Sequence, residues 1–435
     1  MALALSCGPA ARPPAVRASP DRATHLGVTP GALRVHQNAL VIDTHADTPQ
    51  RLFFEPAFDL GVRSEAGHLD VPRMREGGLD AVFFSIWVPA TTTGAAAVKR
   101  ALALIDETRE AVRLHARDLA LATTAAEIRR SQADGRIAIL MGVEGGHMID
   151  DDLRILRSYA ALGVRYLTLT HTRNTSWADS SGDTPVHGGL TPFGREVVLE
   201  LNRLGMMVDV SHVSDKTFYD ALAVSRAPAI ASHSSCRAIS GHARNMTDDM
   251  LRALATAGGV VMINYHAPFL SDAYRLATQD EDAAARTREV NRACGDDEAC
   301  AIAGVDRMNR GLMRSGQLPE VRWEAIVDHI DHAVKVAGVD HVGLGSDFDG
   351  ATMPIGMEDV SRLPLLTDAL LKRGYTETDV VKILGGNFLR VMERVETYGL
   401  RTGDRARSDT RSERCGALAS PPRGRETARS DRCAG

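Results

Sequence analysis

The sequence lacks a surplus of positive charge. Its 435 residues carry 51 Lys and Arg against 56 Asp and Glu, a formal net charge of −5, whereas a nucleic-acid-binding domain normally concentrates basic residues. It also lacks any apolar run near the roughly 18 residues that a membrane-spanning helix needs. Six cysteines are too few and too scattered for a disulfide scaffold. Only Cys294 and Cys300, in NRACGDDEACAIAG, lie close together, and with no second pair nearby a cysteine zinc site is disfavoured. That pair reads equally as a local disulfide in an exported protein or as two thiols in a reducing compartment. No Gly-x-Gly-x-x-Gly follows the first strand-like run, which argues against a dinucleotide-binding open sheet.

What is present is ordinary globular material, 44% apolar and 25% charged, which excludes pervasive disorder and collagen-like repeats. The length admits one large α/β barrel or two to three smaller domains. The ends differ from the rest. Residues 1–35 carry Pro9, Pro13, Pro14, Pro20 and Pro30 with little periodicity and are expected to be disordered. Met1–Ser6 is apolar and precedes Cys7, but it is short and no basic residues lead it, so a complete signal peptide is not recognisable. Export and cytoplasmic residence both stay open. Residues 401–435 hold nine Arg, no Lys and five acids, a local net of +4 that leaves −9 for the remainder. With almost no large apolar side chain, this Arg-rich tail cannot offset its ordering entropy and is expected to be disordered. It also lacks the hydrophobic stretch of a lipid-anchor signal.

Between the ends, short β-branched runs recur at 39–47, 79–88, 136–146, 165–172, 205–212, 227–235, 258–266 and 341–350. Near-continuous apolar runs of this length suit strands buried on both faces. Helical spacing of apolar residues separates many of them, as at 96–117, 151–162, 192–204, 247–257 and 323–337. Alternating β and α elements imply right-handed crossovers, and eight strands predict an α/β fold of the (β/α)8 TIM-barrel type over 36–400, with an irregular insertion at about 266–320. A doubly wound open sheet is the alternative.

Polar residues fall where core packing does not explain them. Six runs end in ionisable groups: His45 and Asp47, Glu144, His171, His212, His233, and Asp347. Strand C-terminal ends converge on one mouth of a barrel, and buried ionisable groups are costly unless paired or metal-bound. His45 and Asp47 share a face if the strand is regular. Gly142, Gly145 and Gly146 are expected to leave space around the Glu144 carboxylate. Singly, each residue could be a strand-end partner, a helix cap or a satisfied histidine. Jointly, five ligands exceed a three-ligand catalytic zinc site. With Glu144 bridging, they divide into His45, Asp47 and Glu144 on one ion, and Glu144, His212 and His233 on the other. His147 lies just beyond Glu144 and could support the site. His25, His36, His68, His115, His187, His242, His329, His332 and His341 sit in loops, helices or strand starts and are assigned no role.

The motifs IDTHAD, GVEGG, LTLTHTRNTSWADS, VDVSHVSD, SHSS, ARNMTDD and GLGSDFDG, in this order, resemble the membrane (renal-type) dipeptidases, peptidase family M19, of the amidohydrolase-like barrel superfamily. The resemblance covers about residues 36–396, including HLDVPRMREGG and GGNFLRVME. It implies two Zn2+ per chain at His45, Asp47, Glu144, His212 and His233, and substrate contacts from His171, Arg244 and Asp347. The implied reaction is hydrolysis of free dipeptides by a zinc-bridging hydroxide. In it Glu144 and His171 are also catalytic, Asp347 shuttles the proton, Arg244 clamps the terminal carboxylate, and a C-terminal D-residue is tolerated. HAPFLSDAY at 266–274 departs from the family's tyrosine-containing loop. A barrel amidohydrolase of non-peptide amides or lactones, or a non-catalytic metal-binding protein, are the other readings. A homodimer is compatible with all of them.

Overall fold

The alternation of buried side chains along the strands sets the architecture. The structure, a computed structural model, describes residues 20–417; what was expected of 1–19 and 418–435 lies outside the described residues. Among the described residues nine strands form: β1 (Ile42–Ala46), β2 (Ala81–Trp87), β3 (Leu119–Leu121), β4 (Ile137–Glu144), β5 (Val164–Thr168), β6 (Met207–Asp209), β7 (Ile230–Ala231), β8 (Val260–Ile263) and β9 (Val342–Leu344). Eight follow one another in the order β1-β2-β4-β5-β6-β7-β8-β9, all parallel. These overlap the eight expected runs. The short β3 pairs only with β4 and was not expected.

The ring closes just past the ends of β1 and β9. Ala46 and Phe348 form a parallel bridge. The Asp347 N–H donates to the His45 carbonyl at 3.0 Å, and the Asp47 N–H donates to the Phe348 carbonyl at 2.7 Å. The fold is thus the expected (β/α)8 barrel. Ala81 and Phe83 of β2, Ala138 and Leu140 of β4, Tyr166, Met207, Ile230, Val260 and Met262 pack together with Phe388 and Met392 of the last helix, Asn387–Ala417. The intervening Val82, Phe84, Ile86, Ile139, Met141 and Val143 pack in the other, larger core with side chains from the surrounding helices. This two-residue alternation sends one set inward and the next outward. No helix among the described residues is long and apolar enough to cross a membrane.

Three expectations require correction. Residues 20–35 are not disordered: helices span Pro20–Leu26 and Pro30–Asn38, and Ala23, Leu26, Val28 and Leu33 pack against Leu365. Pro30 opens its helix at the position where a missing N–H costs nothing. Thr29 caps it, accepting the Ala32 N–H, while its own N–H and hydroxyl donate to Asp368 at 2.9 and 2.8 Å. Pro20 and Pro30 mark helix starts rather than an unstructured segment. At the other end, helical backbone runs beyond residue 401 to Ala417.

The insertion is the third correction, because it is regular. Helices Ala267–Leu270, Asp272–Ala277, Glu281–Cys294 and Glu298–Arg314 fill it. A Cys294–Cys300 disulfide joins the last two. Asp306 anchors Glu298–Arg314 to the mouth loops: it faces His68 at 3.4 Å and accepts the Met353 N–H at 3.1 Å. Arg100 adds an ion pair to Glu298 at 2.8 Å.

Removing the Thr29 cap tests the correction at the N-terminus. Thr29→Ala should cost about 0.5–2 kcal/mol of stability, read as a lower denaturation midpoint. An unchanged midpoint would mean that residues 20–35 do not pack as described.

Candidate metal centre

Every predicted site residue except Arg244, which lies in the connection after β7, sits at or within three residues of a strand end. Glu144 is the last residue of β4, pointing inward with Ala138, Leu140 and Gly142 of the same alternation. His45 and Asp47 do not meet along a regular pleat, as the sequence suggested. The β1–β2 register slips between Asp43 and Ala46, and Asp47 already precedes the helix Thr48–Phe54. Such a slip re-aims side chains beside a site. His212 and Asp347 adopt φ of +67°, a left-handed conformation that non-glycine residues hold only when their surroundings over-determine it. For His212 the surroundings are visible. Its carbonyl accepts the Ser181 N–H at 2.8 Å, the Thr170 hydroxyl at 3.1 Å and the Ser181 hydroxyl at 3.0 Å.

The structure brings all five predicted ligands together around the Glu144 carboxylate. Oε1 lies 2.9 Å from His212 Nε2 and 3.2 Å from His233 Nε2. Oε2 lies 3.4 Å from His45 Nε2, which is 3.6 Å from Asp47 Oδ1. One oxygen therefore faces the His212–His233 side and the other the His45–Asp47 side. His171 Nε2 approaches Oε1 at 3.8 Å, and Asp347 Oδ1 approaches His45 Nε2 at 3.9 Å. Three overlapping triads have mutually close donor atoms: His45, Glu144 and His233; Glu144, His171 and His212; His45, Asp47 and Asp347.

Partners on the far side of two imidazoles decide which nitrogen is bare. The Tyr166 hydroxyl donates to the Thr44 carbonyl at 3.3 Å and lies 3.0 Å from His45 Nδ1. It therefore accepts from a protonated Nδ1, so that the neutral ring carries its lone pair on Nε2. Asp209 does the same for His233 through Ser232. The Ser232 hydroxyl donates to Asp209 Oδ2 at 2.6 Å and stands 2.8 Å from His233 Nδ1. Metal-binding histidines are oriented in this way.

Those lone pairs test whether the residues fit a metal. His45 Nε2 and Asp47 Oδ1 are buried without a hydrogen-bond partner, and the Nε2 atoms of His212 and His233 face each other at 2.9 Å. Imidazole and carboxylate atoms crowded together in this state suit one or more divalent cations of the zinc type. The electrostatics agree for His212 and His233. At His45 the lowering by burial is outweighed by Tyr166, Glu144 and Asp47, which raise its pKa well above the usual histidine range, so that a cation there has to displace its Nε2 proton. Burial holds His212 and His233 well below the usual histidine range, in the neutral form that can ligate. Burial alone would raise Glu144, yet the neighbouring His45 and His171 pull it well below the usual carboxylate range. Burial pushes Asp47 up to about 7 against the pull of His45.

Arg244 lies beside this cluster, 9% exposed. Its guanidinium donates to the His233 carbonyl at 3.0 Å and contacts the Ser234 hydroxyl at 3.4 Å, and its Nε has no partner. Among the described residues, no carboxylate comes within ion-pair distance. Burial lowers its pKa to about 10, against the fields of Asp347 and Glu144. The tilted ring of Trp87 lies 5.7 Å from that of His171.

Sequence reasoning missed the supporting residues Ser85, Tyr166, Asp209, Ser232 and Asn264. Ser85 donates to Glu144 Oε2 at 2.8 Å, and Asn264 donates to Asp347 Oδ2 at 2.9 Å. Asn264 was findable, because it stands just past β8 where other strands carry ionisable groups. The glycine reading was also wrong. A Cβ on Gly142 would meet the Tyr166 ring, one on Gly145 the His147 ring, and one on Gly146 Trp177. His147 itself bonds the Val88 carbonyl at 3.2 Å, and His68 links Asp306 to the Asp349 backbone.

Comparison with known proteins gives one consistent answer. Residues 31–405 match the family model of the membrane dipeptidases, peptidase family M19. The chain is 36% identical over 389 residues to an uncharacterized dipeptidase of Schizosaccharomyces pombe, covering 84% of this chain and 82% of that protein. It is 35% identical to dipeptidase 3 of Mus musculus over 84% of this chain and 66% of the mouse protein. A crystal structure of a metallo peptidase from Rhodobacter sphaeroides, bound to a phosphinate mimic of L-Ala-D-Ala, superposes with a TM-score of 0.68. It is 31% identical and covers 82% of this chain and 99% of that one.

The close approach at Gly142 can be tested directly. An alanine Cβ there would lie 1.9 Å from the Tyr166 ring and push its hydroxyl away from His45. Gly142→Ala should destabilise the fold by about 1–3 kcal/mol, seen as a reduced Tm. An unchanged Tm would show that the ring has room to move.

Proposed function

Because the chain belongs to the membrane dipeptidase family, peptidase family M19, we propose that it hydrolyses the peptide bond of free dipeptides with two zinc ions held by His45, Asp47, Glu144, His212 and His233. The observation that carries the substrate class is Arg244. A buried cation without a counter-ion beside a ligand cluster is costly unless an anion completes it. Its planar fork matches a carboxylate, which every free dipeptide offers at its C-terminus. A hydrolase of uncharged amides or lactones has no use for that feature. The Rhodobacter complex with a mimic of L-Ala-D-Ala supports tolerance of a C-terminal D-residue.

When bound, the two ions supply Lewis acidity and a water nucleophile ionised near neutral pH. The protein's own groups do the rest. Arg244 fixes the substrate carboxylate and with it the register of the scissile bond. His171, 15% exposed at its side chain and close to Glu144, donates to the oxygen that becomes negative as the carbonyl is attacked. Asp347, 14% exposed at its side chain and close to His45, takes the proton of the attacking water and returns it to the leaving amine. Glu144, almost fully buried, keeps the two halves of the ligand set in fixed relation. One chain supplies every one of these residues, so a homodimer is not needed to complete the site.

Release of free amino acids from a panel of L-L and L-D dipeptides, with and without chelator, tests the reading. Activity should vanish on chelation and return with zinc, and elemental analysis should find about two zinc per chain. Glu144→Gln should lose both ions together. Chelator-resistant hydrolysis, or full activity with a single ion, would overturn the dinuclear assignment.

Arg244→Ala should lower kcat/KM for free dipeptides by an amount corresponding to about 2–5 kcal/mol. Wild-type protein should act poorly on C-terminally amidated dipeptides, and Arg244→Ala should barely change that residual rate. Equal wild-type rates on free and amidated substrates would remove the carboxylate clamp.

A further inference from the structure

We infer that Asn264 is a positioning residue for the reaction, fixing the orientation in which the Asp347 carboxylate faces the ligand cluster; this rests on Asp347 being the proton carrier. Asn264 is fully buried one residue beyond β8, on the opposite side of β9 from β1. Its backbone is fixed on both sides: the N–H donates to the Ser234 carbonyl at 3.3 Å, and the carbonyl accepts the Ser235 hydroxyl at 3.0 Å.

Its side chain has only one workable orientation. The His266 backbone N–H donates to Oδ1 at 2.6 Å. A backbone N–H can only donate, so the amide oxygen must lie there and the Nδ2 group must lie toward Asp347. Nδ2 then donates to Asp347 Oδ2 at 2.9 Å. The position of His266 is in turn held by the Thr352 N–H, which donates to its Nδ1 at 3.0 Å.

Asp347 needs such a hold. Its main chain is pinned in the left-handed region by its N–H to the His45 carbonyl and by the Gly350 N–H to its own carbonyl at 3.1 Å. Neither bond constrains rotation of the carboxylate. Asn264 supplies that constraint by occupying Oδ2, which leaves Oδ1 as the oxygen directed at His45 and Asp47. Without it the carboxylate can turn about its last single bond, and the receiving oxygen leaves the path of the proton. The same amide contacts none of the five proposed ligands, so its loss should act on the rate and not on metal retention.

The test compares zinc-loaded Asn264→Asp, Asp347→Asn and the double variant on one free dipeptide. Asn264→Asp keeps the acceptor for the His266 N–H but replaces the donor to Asp347 with a second carboxyl, so the uncharged Asn264→Ser is run beside it and must show the same loss of kcat. Asn264→Asp should lower kcat about 10–100-fold, with KM within about threefold of wild type and two zinc ions retained. In the Asp347→Asn background the same change should add no further loss, because residues acting through one another are not additive. Normal kcat in Asn264→Asp or Asn264→Ser beside a crippled Asp347→Asn would overturn this inference alone, as would lost zinc or fully additive losses. Near-normal kcat in Asp347→Asn would instead overturn the proton-carrier reading and this inference with it. If Asn264→Asp does not fold, Asn264→Ser, too short to reach Asp347, stands alone: the same loss of kcat with zinc retained is expected, and a normal kcat overturns the inference.

Discussion

An ionised carboxylate buried at the centre of a protein mouth is the constraint on which this structure turns. Glu144 is 3% exposed, and stripping water from such a group costs several kcal/mol even after relaxation. The offset comes from four imidazoles and one hydroxyl, from β1, β2 and the segments after β5, β6 and β7. No local stretch of chain could assemble them. A closed ring of parallel strands can, because it points consecutive C-terminal ends at one axis.

That demand explains several features that would otherwise be expensive irregularities. The register slip in β1 lets His45 reach inward. The left-handed residues His212 and Asp347 store strain of about 1–3 kcal/mol each, and dense hydrogen bonding to the His212 carbonyl holds that strain in place. Tyr166 and the Asp209–Ser232 pair set two imidazoles so that bare nitrogens look inward. Even Gly142 belongs to this set, since the ring that orients His45 occupies the space its side chain would need.

Much of this was legible in the sequence, for a physical reason. An apolar strand that ends in His, Asp or Glu is anomalous as core, so the anomalies at six strand ends mark the mouth, and eight β-branched runs mark the ring. Groups that look like ordinary core or turn material were not legible. Tyr166 reads as a buried aromatic, Ser232 as turn material, and Asn264 as neither ionisable nor apolar. The slip in β1 leaves no trace, because a regular pleat would also have placed His45 and Asp47 side by side. Residues 20–35 were misread because proline content was taken for disorder, although Thr29-Pro30 is a helix start with its cap. The insertion was misread because two of its helices are very short and the two longer ones bury few apolar side chains, the last being tied to the mouth loops by Asp306.

The seam where the ring closes joins the first strand to the last, almost 300 positions apart in the chain. All five proposed ligands have been synthesised by residue 233, yet β1 remains an open edge until β9 emerges and Asp347 and Phe348 bond across to His45 and Asp47. During vectorial synthesis the chain therefore holds its histidines and acids ready for most of its length while the cavity that aligns them is still open. Competence arrives late and all at once, with the docking of a three-residue strand. A chain truncated before that strand keeps every ligand and loses the wall that aligns them.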